Sequence, residues 1–264
     1  MAIVTGASGG IGEATARALD AAGYRVFGTF RRLPAARLPG IEYLTCDVTN
    51  DESVQAAIRE VLSKTDGIDL LVNNAGVGLI AGAEESSLEQ AKSLFDVNLF
   101  GVIRMTMAVL PTMRRQGSGR IVNISSVMGL IPAPFMALYA ASKHALEGYS
   151  QSLDHEIRSS GIRVVLVEPA YTRTSFEGNV YRADRQLGLY QSARTNAEGV
   201  MRDAMKVADS PELVASAVVK ASTTATPRPR YTAGRMARQV SLLRRFVPES
   251  AFDRSLRKQM RLPA

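Results

Sequence analysis

Short apolar runs alternate with segments of helical periodicity along most of the 264-residue chain. Between residues 51 and 63, for example, Val54, Ala57, Ile58 and Val61 recur at intervals typical of an amphipathic helix. Seven apolar runs have the length of strands: Ala2–Thr5, Tyr24–Phe30, Ile41–Thr45, Ile68–Val72, Arg120–Ile124, Ile162–Val167 and Arg230–Ala233. Strands that alternate with helices favour right-handed βαβ units. We therefore predict an α/β, doubly wound fold with a mostly parallel seven-stranded sheet and helices on both faces.

The remaining segments differ in how clearly they predict structure. Two apolar segments predict long helices, Val97–Arg115 and Leu138–Ser159. Residues 173–209 have weak periodicity and many polar side chains, which is typical of a mobile lid over a binding site. From about residue 235 to residue 264 the pattern is basic and helical. No linker or internal repeat divides the chain, so we expect a single domain over residues 1–264.

A glycine-rich loop follows the first predicted strand. It reads Gly6-Ala7-Ser8-Gly9-Gly10-Ile11-Gly12 and leads into a helical pattern that ends near Ala22. Strand, glycine loop and helix in this order are the context of a dinucleotide-binding loop. The glycines let the backbone approach a pyrophosphate, and the helix N-terminus offers free N–H groups to it. The expected fold is therefore of the Rossmann type.

The end of the second predicted strand carries arginines where NAD-binding folds place an acidic residue. No Asp or Glu occurs between Asp20 and Glu42, whereas Arg31 and Arg32 follow the strand directly. A guanidinium can bind a 2′-phosphate through charge-assisted hydrogen bonds. We therefore expect NADP(H) to be preferred over NAD(H).

Composition and charge narrow the class of protein. The only cysteine, Cys46, excludes an internal disulfide and a cysteine-based zinc cluster, and two histidines are too few for a histidine-rich metal site. We see no unbroken apolar run of membrane-spanning length and no signal peptide, so we expect a cytoplasmic protein without a metal.

The net charge of +7 is concentrated at the C-terminal end. From Pro227 onward there are ten basic residues and two acidic ones, which leaves the rest of the chain close to neutral. We interpret this segment as a solvated helical face. A contact with acidic partners, membrane headgroups or nucleic acid stays open. We expect no nucleic-acid binding, because the segment lacks the interleaved aromatic residues of single-strand binders.

The predicted helix Leu138–Ser159 carries a tyrosine and a lysine, Tyr139 and Lys143, on one face. An unperturbed tyrosine has a pKa of about 10, too high for useful proton transfer near neutrality. A nearby ammonium group favours the phenolate and lowers that pKa. The pair is therefore a candidate acid–base site.

Several motifs together resemble those of the short-chain dehydrogenase/reductase family, in its compact branch. The serine of that family usually lies thirteen positions before the tyrosine, which selects Ser126 over Ser125. The matches span residues 1 to about 175 in the family's order: Thr5-Gly6-x-x-x-Gly10-Ile11-Gly12, Asp47-Val48, Asn73-Asn74-Ala75-Gly76, Asn98, Ser126, Tyr139-x-x-x-Lys143 and Pro169.

The resemblance implies a role for each matching residue. Tyr139 would exchange a proton with the substrate oxygen, Lys143 would lower the Tyr139 pKa and bind the nicotinamide ribose, Ser126 would hold the substrate oxygen, and Asn98 would place a water. The residues implied at the cofactor are Gly6, Ser8, Gly10, Ile11, Gly12, Arg31, Arg32, Asp47, Val48, Asn74, Ala75, Gly76, Tyr139, Lys143, Pro169, Thr172 and Thr174. Ala170 departs from the family, which usually has glycine after the proline.

The substrate is expected to be a lipophilic carbonyl or secondary alcohol, steroid-, retinoid- or ketone-like. Apolar residues of the segment 128–136 and Val77, Leu79 and Ile80 would flank Tyr139, and the lid contains Phe176, Tyr181 and Tyr190. A 3-oxoacyl thioester reductase and a non-catalytic NADP-sensing regulator stay open as alternatives. The resemblance also implies a homodimer in which the two long helices pair across a two-fold axis.

Overall fold

A computed structural model describes residues 1–31, 38–174 and 180–262. The strands of its main sheet are β1 (Ala2–Val4), β2 (Val26–Phe30), β3 (Ile41–Thr45), β4 (Leu70–Asn73), β6 (Gly119–Ile124), β7 (Ile162–Pro169) and β9 (Arg230–Ala233), and β5 (Gly78–Ile80) and β8 (Val180–Arg182) lie apart from it. All seven strands of the main sheet run parallel, in the order β3-β2-β1-β4-β6-β7-β9. The predicted seven-stranded α/β fold is confirmed.

The helices cover both faces of this sheet. They are α1 (Gly10–Ala21), α2 (Asp51–Leu62), α3 (Leu88–Phe95), α4 (Gly101–Gln116), α5 (Ala137–Ile157), α6 (Gln191–Lys206), α7 (Pro211–Thr223), α8 (Arg235–Phe246) and α9 (Glu249–Gln259). Successive side chains of a strand point to opposite faces, so each strand feeds two apolar layers. On β1, Ile3 joins the layer under α2, α4 and α5, whereas Ala2 and Val4 join the layer under α1 and α7.

The strand order reverses between β1 and β4, which lie side by side although they are distant in sequence. In doubly wound sheets a crevice opens at such a point, beyond the carboxyl ends of the strands. The glycine loop follows β1, and Asn74 follows β4. Both segments with chemistry-bearing motifs are therefore brought to one edge of the sheet.

The structure corrects the predicted helix Val97–Arg115. Its first residues lie in a π-helical turn, Asp96–Phe100, which joins α3 to α4 in one continuous helical stretch. A π turn of this kind often marks a functional position, and Asn98 lies in its middle. By length and composition, the stretch Leu88–Gln116 is apolar enough to cross a membrane, the only such stretch in the described residues. Its α4 side chains Met105, Val109 and Met113 are buried in the core, which accounts for that composition.

The predicted lid also contains regular structure that its sequence pattern does not indicate. Strand β8 pairs in parallel with β5 to form a second, two-stranded sheet. Helix α6 follows and contributes Ala197 and Met201 to a small apolar cluster beside Phe135. Phe176 lies outside the described residues.

Candidate active site

The glycine loop turns sharply between β1 and α1. Gly6 and Gly10 have positive φ angles of 66° and 54°, which side-chain-bearing residues rarely adopt. At Gly12 the reason for glycine is contact. A Cβ there would lie 2.2 Å from the Gly6 carbonyl oxygen and 2.5 Å from the Asn74 amide nitrogen. The backbone at Gly6 and the first turn of α1 are therefore so close that a side chain at position 12 would not fit between them.

Thr5 and Asn74 brace this loop against the end of β4. The Thr5 hydroxyl accepts hydrogen bonds from the backbone N–H groups of Asn74 and Ala75, at 2.9 and 3.0 Å. The Asn74 side chain donates to the carbonyl oxygens of Thr5 and Gly6, at 2.9 and 3.1 Å. The sequence motif contains Thr5, but its pattern does not indicate this bracing role.

A first cavity of about 350 Å³ opens over the glycine loop. Residues expected at the cofactor that line it are Gly6, Ser8, Gly10, Ile11, Gly12, Arg31, Asp47, Val48, Asn74, Ala75, Gly76 and Thr174. A concave wall of glycine backbone at a helix N-terminus suits a phosphate group. This cradle, which a Cβ would fill, fits a dinucleotide.

The far end of the first cavity combines one arginine and one fixed carboxylate. Arg31 follows β2 and is exposed. The Asp47 carboxylate accepts hydrogen bonds from the backbone N–H and hydroxyl of Thr49, at 2.9 and 2.7 Å. Burial raises the pKa of Asp47, but these hydrogen bonds and the charges of Arg31 and Arg104 lower it further than burial raises it. Arg32, also predicted at this end, lies outside the described residues.

Ser126, Tyr139 and Lys143 come together beyond the end of β6. The side chains of Ser126 and Tyr139 are hydrogen-bonded to each other. The Lys143 ammonium nitrogen lies 5.8 Å from the centre of the Tyr139 ring and donates to the Ile124 carbonyl oxygen at 2.9 Å. Ser126 follows β6, and Tyr139 and Lys143 lie on α5, so the packing of α5 on the sheet brings the three residues together.

The environment of this group changes its acid–base chemistry. Burial raises the pKa of Tyr139 to about 12, and the hydrogen bond from Ser126 only partly opposes that rise. Burial lowers the pKa of Lys143 to about 8, against the opposing charge of Glu147. The expected lowering of the Tyr139 pKa by Lys143 is not found in the structure: burial raises this pKa, and the hydrogen bond with Ser126 is what opposes the rise.

Asn98 supports the site from behind. Its side-chain oxygen accepts from the Val77 N–H at 2.9 Å, and its amide donates to the Val77 carbonyl at 2.9 Å and to the Ser142 hydroxyl at 3.2 Å. A Cβ on Gly76 would lie 3.3 Å from the Asn98 oxygen. The side chain thus fixes the segment that separates the glycine loop from Tyr139.

A second cavity of about 510 Å³ adjoins the first and contains Ser126, Tyr139 and Lys143. Pro169 and Thr172, both expected at the cofactor, also line it. Ile11, Asn74, Gly76, Val77 and Thr174 line both cavities. A molecule in the first cavity can therefore meet one in the second, which also contains Tyr139.

The wall of the second cavity is mostly apolar. From the segment 128–136 only Met136 lines it, together with Leu79, Ile80, Tyr171 and other residues. Two further wall residues, Met201 and Met205 on α6, were not predicted. Most residues of that helix are polar, so the sequence does not indicate which side of it is apolar. Of the lid aromatics, Tyr181 lines the first cavity, and Tyr190 instead donates its hydroxyl to Glu84 at 2.6 Å.

Residues 1–185, more than half of this chain, match the sequence model of the short chain dehydrogenase family. The chain belongs to the short-chain dehydrogenase/reductase family. It is 35% identical over 258 residues to the uncharacterized oxidoreductase YbbO of Escherichia coli, covering 96% of this chain and 93% of that one. It is 40% identical over 177 residues to the 3-ketodihydrosphingosine reductase of Bacteroides thetaiotaomicron. That match covers 67% of this chain and only 65% of the reductase.

Solved structures of the family have the same architecture. A short-chain dehydrogenase from Streptomyces avermitilis superposes with a TM-score of 0.81 at 34% identity, covering 96% of this chain and 97% of that one. A Burkholderia cenocepacia dehydrogenase solved with NADP has a TM-score of 0.75 at 25% identity, covering 96% of both chains. A Burkholderia phymatum relative with NAD reaches 0.79 at 26% identity, covering 96% and 94%. Dehydrogenases of this fold thus bind nicotinamide cofactors of both kinds.

Within the predicted lid, helix α6 is attached to the segment after β5 through a buried ion pair. Glu85 and Arg194 form a salt bridge, and both side chains are almost fully buried. Glu85 also accepts hydrogen bonds from the backbone N–H groups of Gly82 and Leu187, each at 2.8 Å. These bonds join the segment after β5 to α6, 109 residues further along the chain.

Proposed function

We propose that this protein is an NADP(H)-dependent oxidoreductase that interconverts a lipophilic ketone and its secondary alcohol. The observation that carries the proposal is the hydrogen-bonded pair of Ser126 and Tyr139, beside Lys143, in the second cavity, which adjoins the first. Gly6, Gly12 and Arg31 of the first cavity would hold NADP(H), which would supply the hydride exchanged with the substrate carbon. The protein supplies the proton and the donors that stabilise charge on the substrate oxygen.

In this proposal Tyr139 is the acid of the reductive direction. With a pKa of about 12 it keeps its proton at neutral pH and can give it to the carbonyl oxygen as that oxygen gains negative charge. Ser126 holds the same oxygen by a second hydrogen bond. Lys143, whose pKa of about 8 lies near neutrality, can return a proton to the tyrosinate. Asn98 keeps Val77 in place between the two cavities.

The apolar second cavity supports a lipophilic substrate. Its size suits a molecule larger than a simple sugar or amino acid, and many of its lining residues are aliphatic or carry a thioether. The similarity to a 3-ketodihydrosphingosine reductase also agrees with a ketone substrate. Reduction of an acyl thioester is tested in the same experiment.

The experiment is an NADPH oxidation assay with long-chain ketones, ketosteroids, retinal, aryl ketones and 3-oxoacyl thioesters. We expect turnover of at least one apolar carbonyl, and a loss of roughly 10²–10⁴-fold in kcat for Tyr139→Phe. Tyr149→Phe removes a hydroxyl from the same helix outside both cavities and serves as the matched control. No turnover across the panel, or equal activity of the two variants, would contradict the proposal.

Arg31 carries the proposed preference for NADP(H). No carboxylate follows β2 to bind a ribose 2′-hydroxyl, and the guanidinium lies in the wall of the first cavity. Arg31→Ala should lower the NADPH-over-NADH ratio of kcat/KM by about 10- to 100-fold, since charge-assisted hydrogen bonds are lost. Arg59→Ala, an exposed arginine on α2, should leave the ratio unchanged. An unchanged ratio in Arg31→Ala would refute the preference.

We further propose that the enzyme is a cytoplasmic homodimer. Phe100 and Met107 expose apolar side chains in and beside α4, one of the two helices expected to pair. Light scattering should give twice the mass of the chain, and Met107→Glu should shift it toward the monomer. A wild-type monomer at micromolar concentration would contradict this assembly.

A further inference from the structure

The C-terminal helix α8 has an apolar stripe on its solvent side. Met236, Leu242, Leu243 and Phe246 are 36, 48, 50 and 71% exposed. Their spacing places them on one side of the helix. Ala237, which is fully buried, faces the protein instead. The stripe therefore points away from the enzyme, and the reaction proposed above makes no use of it.

Basic residues border this stripe. Arg235, Arg238 and Arg245 are exposed on α8, and in the described part of the chain none of them lies within ion-pair distance of a carboxylate. The Arg245 guanidinium instead lies 5.4 Å from the centre of the Phe246 ring. The two C-terminal helices contain only two acidic residues, Glu249 and Asp253. Cationic and apolar side chains thus share one surface with almost no opposing charge.

The segment that carries this surface is attached to the wall of the second cavity. Leu256, Met260 and Leu262 pack in one apolar cluster with Met201 of α6. The Asn196 side chain also donates to the Arg261 carbonyl oxygen at 3.2 Å. Because Met201 lines the second cavity, a body bound to α8 would lie close to the substrate site.

We propose that α8 docks the enzyme on a membrane surface that contains anionic lipids. An amphipathic helix with arginines beside an apolar stripe lies in the plane of the interface, with its apolar side chains in the headgroup–acyl boundary and its cations at the lipid phosphates. Residues 235–259, which include α8 and α9, have seven basic and two acidic side chains, and this excess of +5 is complementary to such a surface. Docking would bring a lipophilic substrate to the second cavity, and this part of the inference rests on the function proposed above.

A second copy of the chain fits this surface less well. In a two-fold contact the same patch meets itself, so the unpaired arginines of both copies would come together. Nucleic acid would use the arginines but leave the exposed Leu242, Leu243 and Phe246 without a role. A lipid surface satisfies both the charge and the apolar stripe.

Flotation of the full chain with lipid vesicles tests the proposal, and this readout is independent of turnover. We expect binding to phosphatidylcholine vesicles that contain phosphatidylglycerol, weak binding to pure phosphatidylcholine, and a steep loss at high salt. The double variant Leu243→Ser/Phe246→Ser should lower the partition coefficient by at least about tenfold. The triple variant Arg235→Gln/Arg238→Gln/Arg245→Gln should lower it by roughly 100-fold.

Leu88→Ser is the matched control, because Leu88 is 66% exposed on α3, outside the C-terminal segment. It should bind vesicles like the wild type, and circular dichroism should show that all variants stay folded. Equal binding to neutral and anionic vesicles, or no binding to either, would overturn the proposal. The proposal would also be overturned by a dimer, seen by light scattering, that Leu243→Ser/Phe246→Ser dissociates. Vesicle binding that short DNA abolishes but high salt does not would overturn it as well.

Discussion

The first cavity, proposed for the cofactor, and the second, proposed for the substrate, are built in different ways; we call them the cofactor side and the substrate side. On the cofactor side, short motifs at the ends of neighbouring strands hold one another, as Thr5 and Asn74 hold the glycine loop. On the substrate side, the wall depends on α6, which is held to the segment after β5 by Glu85 and Arg194. The first side can be recognised from local patterns, whereas the second depends on contacts between distant segments.

The largest effect that would test this contrast is removal of the lid ion pair. Arg194→Met should destabilise the fold by about 3 to 5 kcal/mol, because it leaves the Glu85 carboxylate buried and unpaired. Urea unfolding followed by circular dichroism measures the free energy of unfolding. The double variant Glu85→Gln/Arg194→Met, which removes both charges, should recover part of the loss.

The same variant also separates the two sides in function. NADPH affinity of Arg194→Met, measured by fluorescence titration at a temperature where the protein is folded, should stay within about twofold of the wild type, while KM for an apolar substrate rises. Arg182→Met, which removes an exposed ion pair with Glu198, provides the control for stability and should cost less than about 1 kcal/mol. A loss of NADPH affinity in Arg194→Met as large as its rise in KM would remove the distinction between the two sides.

Two buried carboxylates lie close to each other outside both cavities. Glu168 at the end of β7 and Glu147 on α5 share the single guanidinium of Arg230, at 3.0 and 2.9 Å. Burial and the Glu147 charge raise the pKa of Glu168 to about 8, against the opposing charge of Arg230. Between pH 4.5, the ordinary pKa of a glutamate, and pH 8, Glu168 therefore keeps its proton in the folded state and loses it in the unfolded chain.

This linkage predicts that stability falls as pH rises from about 4.5 to about 8, by a few kcal/mol for this group. Glu168→Gln places a neutral amide there and should flatten that part of the pH profile. Urea unfolding at several pH values measures the slope, and Glu156→Gln, an exposed position on α5, is the control. A wild-type slope retained in Glu168→Gln would show that another group is responsible.

The sequence predicts more of the cofactor side than of the substrate side, and the reason is physical. Gly12 and the Tyr139–Lys143 spacing encode geometry within a few residues, so their pattern is visible in the chain. Met201 lines the second cavity because α6 folds back over it, and nothing in its own polar segment indicates this. The pKa of Tyr139 is raised because several elements bury its side chain, and the spacing of residues along the sequence does not indicate this burial.

A smaller effect is expected from closing the cradle at Gly12. The Cβ of Gly12→Ala would meet the Gly6 carbonyl oxygen at 2.2 Å, so the loop and α1 must move apart. Overpacking of this kind costs about 1 to 3 kcal/mol, and we expect NADPH to bind roughly ten- to a hundredfold more weakly. Gly148→Ala on α5 is the control, because its Cβ meets nothing within 4 Å. Unchanged NADPH affinity in Gly12→Ala would show that the cradle does not hold the cofactor.

The smallest expected effect concerns Met205, at the outer wall of the second cavity. Met205→Ala removes apolar surface from that wall, so KM for a lipophilic ketone should rise by about three- to tenfold, with kcat and NADPH affinity nearly unchanged. The neighbouring Lys206→Ala, whose side chain is exposed and outside the cavity, should change none of the three quantities. A fall in NADPH affinity instead would mean that α6 supports the cofactor as much as the substrate. In that case cofactor binding and substrate binding would not depend on separate parts of the site. The difference between local motifs and long-range contacts would then concern how the two cavities are encoded in the sequence, and not which ligand each one binds.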